Sequence, residues 1–170
     1  MRVLFIDRDG TLINEPPDGY IDTLEKLEIL PHVIESLPKL QEKFTLVLVS
    51  NQPGRGTNKF TEESFIIPQN KLVEIFNENN ISFKQMFFCP HFREDNCECM
   101  KPKTGLIDSF LKENTIELQH SYVIGDRETD IQLAKNIGCK GILYSDKKVS
   151  DADFISHDWR KIVDYILHNL

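Results

Sequence analysis

Two carboxylates separated by one residue, Asp7 and Asp9, stand near the start of the sequence and are followed by Gly10 and Thr11. Carboxylates this close repel each other unless a cation lies between them, so the pair predicts either a divalent metal ion or one carboxyl with a raised pKa. With Mg²⁺ present, one carboxylate as nucleophile and the other as proton carrier, the pair could transfer a phosphoryl group.

A calcium-binding loop is an alternative explanation of the same acidic residues. Counted from Asp7, an EF-hand loop needs a ligand at its fifth position, glycine at its sixth and glutamate at its twelfth, whereas the sequence has Thr11, Leu12 and Asp18 there. The sequence therefore excludes an EF-hand. A solvated acidic turn is the other alternative, and the apolar run that leads directly into the pair argues against it.

A second cluster combines cysteine and histidine as Cys89, His91, Cys97 and Cys99. Clustered cysteines with a histidine are typical of metal ligands in a reducing compartment rather than of disulfides. Three cysteines and one histidine form a tetrahedral Zn²⁺ set with no open position for water, so we expect a structural zinc site. The alternative is a loop whose reduced thiols gather by chance. Cys139 stands apart, and we expect it to be a small buried apolar residue.

Short apolar runs define the elements that must position these residues. Residues 3–6 predict a strand buried on both faces, and further strands are predicted at 45–49, 86–88, 121–124 and 141–144. Helical stripes are predicted at 31–40, with a kink or break at Pro38, from Thr61 onward, after Asp130 and at 159–167. This alternation predicts an α/β protein with a parallel sheet.

Polar residues end the later strands as well. Ser50 and Asn51 end the second strand and could bind phosphate oxygens, while Asp126 and Asp130 follow the fourth. Parallel strands bring their carboxyl ends to one edge of the sheet, where ligands bind in such folds. Lys101, directly after the cysteine cluster, could screen the carboxylates from an incoming phosphate, and Lys103 is its rival for that role.

The run from Asp7 to Thr11 resembles the first motif of the haloacid dehalogenase superfamily of aspartate-nucleophile phosphatases, and this resemblance implies a Rossmann-like parallel sheet. The resemblance extends in chain order to Ser50, Lys101 and Asp126 as the later motifs. It implies Asp7 as nucleophile and Asp9 as general acid and base, with phosphate bound by Ser50, Asn51 and Lys101. It also implies Mg²⁺ held by Asp7, the Asp9 carbonyl and Asp126, with Asp130 supporting the metal site.

The cysteine loop, residues 89–99, resembles the branch of the superfamily that dephosphorylates histidinol phosphate or heptose bisphosphate. The five-residue spacer between His91 and Cys97 suits the histidinol phosphate enzymes better, and the heptose enzymes are the alternative. The resemblance covers nearly the whole chain. The chain is similar to a phosphatase domain that many bacteria carry fused to imidazoleglycerol-phosphate dehydratase. The small gaps between motifs imply no large cap domain.

Substrate contacts beyond the phosphate are expected from Glu15, Arg8 and Arg55. Glu15 lies in a turn-rich loop after the first motif, and its carboxylate would suit a substrate that carries an ammonium or imidazolium group. Relatives of this branch often have arginine where this sequence has Met100. If that arginine helps to hold the substrate phosphate, Arg8 or Arg55 must compensate here.

Composition sets the remaining expectations. The sequence has 170 residues, a net charge of −7 and 40% hydrophobic residues, so we expect one phosphatase domain over 1–170. The acidic balance argues against a nucleic-acid partner, although a nucleic-acid 3′-phosphatase and a non-catalytic metal-binding module stay open as alternatives. No apolar run is long enough to span a membrane, and we expect a cytoplasmic enzyme that acts on a small phosphorylated metabolite.

Overall fold

The computed structural model describes residues 1–147 and 151–170. Six parallel strands form one sheet in the order β3-β2-β1-β4-β5-β6. The strands are β1 Val3–Ile6, β2 Thr45–Asn51, β3 Phe83–Cys89, β4 Tyr122–Gly125, β5 Lys140–Leu143 and β6 Phe154–Ile155. The predicted parallel α/β architecture is confirmed, and β6 is a strand that the sequence pattern did not predict.

In the described part of the chain, five α-helices cover the two faces of the sheet. They are α1 Val33–Gln41, α2 Glu62–Glu78, α3 Asp108–Glu113, α4 Glu128–Ile137 and α5 Trp159–His168. The predicted start of α2 is correct, since the Thr61 hydroxyl accepts a hydrogen bond from the Ser64 amide. The break considered at Pro38 does not occur, because Pro38 lies within α1.

Strand β1 is buried on both faces, as the absence of polar residues within it predicts. Leu4 and Ile6 pack into one apolar core with residues of α1, α2 and α5, while Val3 and Phe5 pack into a second core with residues of α3 and α4. Both clusters fix the central strand, and so they fix the residues that follow it.

The strand order places a crevice at the end of β1. Strands β2 and β3 lie on one side of β1, whereas β4, β5 and β6 lie on the other side. The connection from β1 to β2 and the connection from β4 to β5 therefore run in opposite directions across the sheet. Such a switch in direction creates a ligand site at the carboxyl edge of a parallel sheet. Among the described residues, the segment between β1 and β2 contains a 3₁₀ turn and α1, and the segment between β2 and β3 contains α2. These segments are too short for a large cap domain, in agreement with the sequence analysis.

None of the helices in the described part of the chain is both long and apolar enough to cross a membrane.

Candidate active site and metal centres

A cavity of about 630 Å³ opens at the carboxyl edge of the sheet. The predicted site residues that line it come from the ends of β1 and β2, the loop after β1, the loop before α3 and the first turn of α4. They are Asp7, Asp9, Glu15, Ser50, Asn51, Lys101 and Asp130. The sheet therefore brings together side chains that lie far apart in the sequence.

Lys101 lies at the floor of this cavity between two carboxylates. Its Nζ is 2.7 Å from Asp7 Oδ1 and 2.6 Å from Asp130 Oδ1, and all three side chains are buried. Burial raises the pKa of Asp7 well above its ordinary value, the Lys101 charge opposes this, and neighbouring Asp130 and Asp126 add to it. Burial disfavours the ammonium of Lys101, yet Asp130 and Asp7 raise its pKa above the usual range. Lys101 therefore stays cationic beside the predicted nucleophile.

Asp126 has the properties of a metal ligand. Its Oδ1 is buried and has no hydrogen-bond partner among the described residues, and its carboxylate lies with those of Asp7 and Asp130 in a cluster that spans less than 4.8 Å. Burial, reinforced by Asp130, raises the pKa of Asp126 to about 6. A buried carboxylate oxygen without a donor is satisfied when a hard cation binds, so these residues fit a divalent metal ion.

Gly10 makes room for the Asp126 carboxylate. Its φ is +77°, and a Cβ built there would lie 2.4 Å from Asp126 Oδ2. Asp130 has both oxygens engaged, because Oδ1 accepts from Lys101 and Oδ2 accepts from the Arg127 backbone amide at 3.1 Å. This leaves Asp7 and Asp126 as the better candidates for direct ligation and suits the supporting role expected of Asp130.

Arg8 lies away from the cavity, in contrast to its expected substrate contact. Its side chain has no exposed surface, and its Nε donates to Asp9 Oδ1 at 2.7 Å. Its Nη1 and Nη2 donate to Gln69 and Gln52, so the guanidinium is directed into the protein. A substrate phosphate in the cavity would meet Asp9 rather than Arg8.

Ser50 and Asn51 end β2 beside Asp7, as predicted. The Ser50 hydroxyl is buried and accepts a hydrogen bond from Gln52 at 2.9 Å. Asn51 uses its side chain to hold the backbone of Lys101, since its Oδ1 accepts from the Lys101 amide at 3.0 Å and its Nδ2 donates to the Lys101 carbonyl at 3.3 Å. Asn51 therefore positions the lysine in addition to lining the cavity.

Glu15 lines the cavity but is already paired. Its Oε1 accepts a hydrogen bond from Arg127, a residue at the start of α4 that the sequence analysis did not single out. The signal that could have identified Arg127 is its position directly after Asp126, at the end of a strand. Arg55, by contrast, is absent from the cavity lining, because it pairs with Glu62 and stacks 3.9 Å from the centre of the Phe65 ring.

The four residues of the cysteine cluster converge at the end of β3. Cys89 Sγ lies 3.1 Å from Cys99 Sγ and 3.7 Å from Cys97 Sγ, and His91 Nδ1 lies 3.1 Å from Cys99 Sγ. In a tetrahedral zinc site with three cysteines and one histidine, sulfur atoms are about 3.8 Å apart and sulfur and nitrogen about 3.5 Å apart, given Zn–S and Zn–N bonds of about 2.3 and 2.0 Å. The observed separations are close to these values, so the cluster fits a four-coordinate metal ion.

The thiols of this cluster differ in acidity when no cation is bound. Burial and hydrogen bonding raise the pKa of Cys89 to about 12. Although burial opposes it, hydrogen bonds from Cys99 and from backbone amides hold the pKa of Cys97 at about 7. A divalent cation would be needed to keep all three sulfurs as thiolates at neutral pH.

Comparison with known proteins identifies relatives of this chain. Residues 98–170 match the family model described as HAD-hydrolase-like. The "Histidine biosynthesis bifunctional protein HisB" of Blochmanniella floridana is 46% identical over 99% of this chain, and that of Legionella pneumophila strain Lens is 42% identical over 99%. The chain spans 45% and 46% of these two proteins, which is less than half the length of the relatives it matches.

Solved structures share the fold across the whole chain. A D,D-heptose 1,7-bisphosphate phosphatase from B. bronchiseptica, complexed with magnesium and phosphate, superposes with a TM-score of 0.87 at 20% identity and covers 100% of both chains. The corresponding phosphatase from Burkholderia thailandensis gives a TM-score of 0.67 at 15% identity, covering 98% of this chain and 99% of its own. The parallel sheet and these structures agree: the chain has the fold of the haloacid dehalogenase-like hydrolases, and residues 98–170 match that family's model.

Proposed function

We propose that this chain is a Mg²⁺-dependent phosphatase that hydrolyses L-histidinol phosphate through an aspartyl phosphate on Asp7. The observation that carries the proposal is the approach of Lys101 Nζ to Asp7 Oδ1, 2.7 Å, within a carboxylate cluster at the floor of the cavity. The choice of substrate is supported by relatives 42–46% identical that are named for histidine biosynthesis.

The reaction divides into two steps. In the first, an oxygen of Asp7 forms a bond to phosphorus, the ester P–O bond breaks, and the leaving oxygen takes a proton from Asp9. In the second, water attacks phosphorus and gives a proton to Asp9, which releases inorganic phosphate and restores Asp7. Alcohol and phosphate are the products of one ester and one water, and Asp9 ends protonated as it began.

The fixed charges around Asp7 lower the repulsion between two anions. Lys101 neutralises the carboxylate that attacks, and the Ser50 hydroxyl can donate to a phosphate oxygen at the same edge of the sheet. A magnesium ion held by Asp7, the Asp9 carbonyl and Asp126 would neutralise the phosphoryl oxygens. Asp130 would keep Lys101 in position beside both.

The cysteine cluster is proposed to hold structural Zn²⁺. Its four ligands leave no position for a water molecule, so its role would be to fix the loop of residues 89–99. Phe92 and Cys97 of this loop line the cavity, and a folded loop is therefore part of the substrate pocket. That residues 1–170 act as one phosphatase domain, in the cytoplasm and joined to a dehydratase in the natural protein, stays a prediction.

A panel of phosphate esters tests the proposal. L-histidinol phosphate should give a higher kcat/KM than D-glycero-D-manno-heptose 1,7-bisphosphate, and a 3′-phosphorylated oligonucleotide should give none. A higher value for the heptose ester would favour the alternative enzyme of this branch. Activity on none of the three, at saturating Mg²⁺, would favour a non-catalytic metal-binding module.

Glu15 is proposed to contact the ammonium or imidazole group of the substrate. Arg127 occupies its Oε1, and the second oxygen of the carboxylate can still accept from a cationic substrate. A charge-assisted contact contributes about 1.5 to 3 kcal/mol, or roughly ten- to a hundredfold in kcat/KM. Glu15→Gln should therefore lose that factor on histidinol phosphate and much less on a neutral alkyl phosphate.

Asp18→Asn is the matched control for this variant. Asp18 is a second carboxylate of the same loop and also lines the cavity, but Lys26 holds it at 2.6 Å and the Tyr20 amide donates to it. We expect similar changes on both esters for this control. If Glu15→Gln lowers kcat/KM equally for the two esters, Glu15 does not contact the charged group of the substrate.

A further inference from the structure

Arg8 is a cation with no exposed surface, directly beneath the predicted acid and base of the reaction. A guanidinium is stable at such a position only when its N–H groups are paired. Nε and Nη2 donate to the two oxygens of Asp9 at 2.7 and 3.3 Å. Nη1 donates to Gln69 Oε1 at 2.8 Å, and Nη2 also donates to Gln52 Oε1 at 3.0 Å.

Gln52 connects this pair to the phosphate-binding edge of the sheet. Its Nε2 donates to Asp9 Oδ2 at 2.9 Å and to Ser50 Oγ at 2.9 Å, so one amide group holds both side chains. Its backbone amide donates to the Cys89 carbonyl at 2.7 Å. The orientation of Gln52 is thus tied to the end of β3, where the cysteine cluster begins.

Gln69 supports Arg8 from the opposite side. It is a buried residue of α2, and its own amide nitrogen contacts the Met86 sulfur at 3.4 Å. The aromatic ring of Phe65, also in α2, lies 5.2 Å from the guanidinium carbon. Helix α2 thereby fixes the arginine that fixes Asp9, although α2 contributes no residue to the cavity lining.

We propose that Arg8, Gln52 and Gln69, here called the Asp9 clamp, are positioning residues that hold the Asp9 carboxylate at the leaving oxygen of the substrate. The inference rests on the proposed phosphatase activity and deepens it. Both Asp9 oxygens are held by donors within the protein, while the carboxylate still faces the cavity. Proton transfer needs heavy atoms within about 3.2 Å of each other, so freedom of Asp9 to rotate would slow the first step.

A purely structural role for the clamp predicts a different pattern of losses. General damage to the site would slow every substrate alike. Loss of Asp9 positioning would slow only esters whose leaving oxygen needs a proton. An alkyl phosphate such as histidinol phosphate leaves as a strong base, whereas p-nitrophenolate leaves without protonation, so the two esters separate these roles.

The experiment measures the first turnover by rapid quench, in the holoenzyme, with L-histidinol phosphate and with p-nitrophenyl phosphate. Gln52→Leu should slow the alkyl ester by about 10- to 100-fold and the nitrophenyl ester by less than about threefold, in line with the usual contribution of a positioned acid. Gln69→Leu, which leaves Asp9 and Ser50 untouched, should show the same pattern more weakly. Gln132→Leu, at an exposed glutamine of α4, is the matched control and should change neither rate.

Folding of each variant is checked by its unfolding midpoint and by its metal content. If Gln52→Leu does not fold, Gln69→Leu carries the test. Equal slowing of both esters, or no slowing of either by Gln52→Leu and Gln69→Leu, would overturn the role of the clamp while leaving the phosphatase assignment intact. An inactive wild-type protein would instead overturn the proposed function.

Discussion

Lys101→Met should lower both the stability and the activity of the protein, because it removes a buried charge while it keeps most of the side chain's length. Lys101 Nζ is 2.7 Å from Asp7 and 2.6 Å from Asp130. At an effective dielectric constant of about 20, unit charges this far apart attract by about 6 kcal/mol per pair. Desolvation of three buried charges offsets much of that sum, and removal of one partner from a buried ion pair typically costs about 3 to 5 kcal/mol.

The measurement is the free energy of unfolding in urea with EDTA present, over pH 5 to 8. Burial raises the pKa of Asp7 and the Lys101 charge opposes it, so the substitution raises that pKa further. A carboxyl whose pKa is raised in the folded state loses stability as the pH rises through that pKa. The deficit of Lys101→Met should therefore be largest at neutral pH and shrink toward about pH 5.

Lys103→Met is the matched control and decides between the two lysines. Lys103 is partly exposed, and its partner Glu98 is mostly exposed, so this ion pair should contribute at most about 1 kcal/mol. We expect kcat/KM to fall by about 10²- to 10³-fold in Lys101→Met, as for the loss of a strong electrostatic donor, and far less in the control. A larger loss of stability and of activity in Lys103→Met would refute the reasoning.

Two further predictions concern the metal sites. Burial raises the pKa of Asp126 to about 6, and a metal ligand must be ionised, so the apparent affinity for Mg²⁺ should fall by up to about tenfold per pH unit below pH 6. Calorimetric titration from pH 5 to 7.5 measures this affinity, and a pH-independent value would contradict the prediction. Cys97→Ser should lose zinc and lower the melting temperature by about 4 to 8 °C, the shift expected for about 2 kcal/mol in a chain of this size. Cys139→Ser should retain one zinc per chain. Equal zinc content and stability in the two variants would show that the cluster is not a structural zinc site.

The position of several predicted site residues could be derived from the sequence because it follows from chain order. Buried strands that end in polar residues place them at one sheet edge: Asp7 and Ser50 line the cavity, and the carboxylates of Asp7 and Asp126 lie within 4.8 Å of each other. Lys101 follows no strand, and its place beside Asp7 came from the family resemblance. The core position of β1 could also be predicted, because its run of apolar residues packs into both apolar clusters.

The contacts of the charged side chains could not be predicted in the same way. Arg8 was expected to contact the substrate because Met100 replaces an arginine of related proteins, yet its partners Gln52 and Gln69 lie 44 and 61 positions away along the chain. Glu15 was expected to contact a cationic substrate, and its partner Arg127 lies 112 positions away. Such pairs depend on tertiary packing, which residue types and local spacing do not encode.

The short elements were missed for a related reason. Strand β6 has only two residues, and its pairing with β5 makes it a strand, whereas its composition gives no periodic signal. Strand β3 begins three residues earlier than predicted. The apolar pattern does not reveal this part of the strand because Lys84 and Gln85 are polar and exposed. Its other side is paired with β2, so the sheet tolerates polar residues at this edge position.

The central claim, that Asp7 becomes phosphorylated by L-histidinol phosphate, is tested most directly by trapping the intermediate. Reaction with this ester is quenched within the first turnover, the acyl phosphate is reduced with borohydride, and the modified residue is located by peptide mass spectrometry. The account predicts conversion of Asp7 to homoserine in the wild-type protein and none in Asp7→Asn. Modification of another residue, or phosphate release by Asp7→Asn at the wild-type rate, would contradict it.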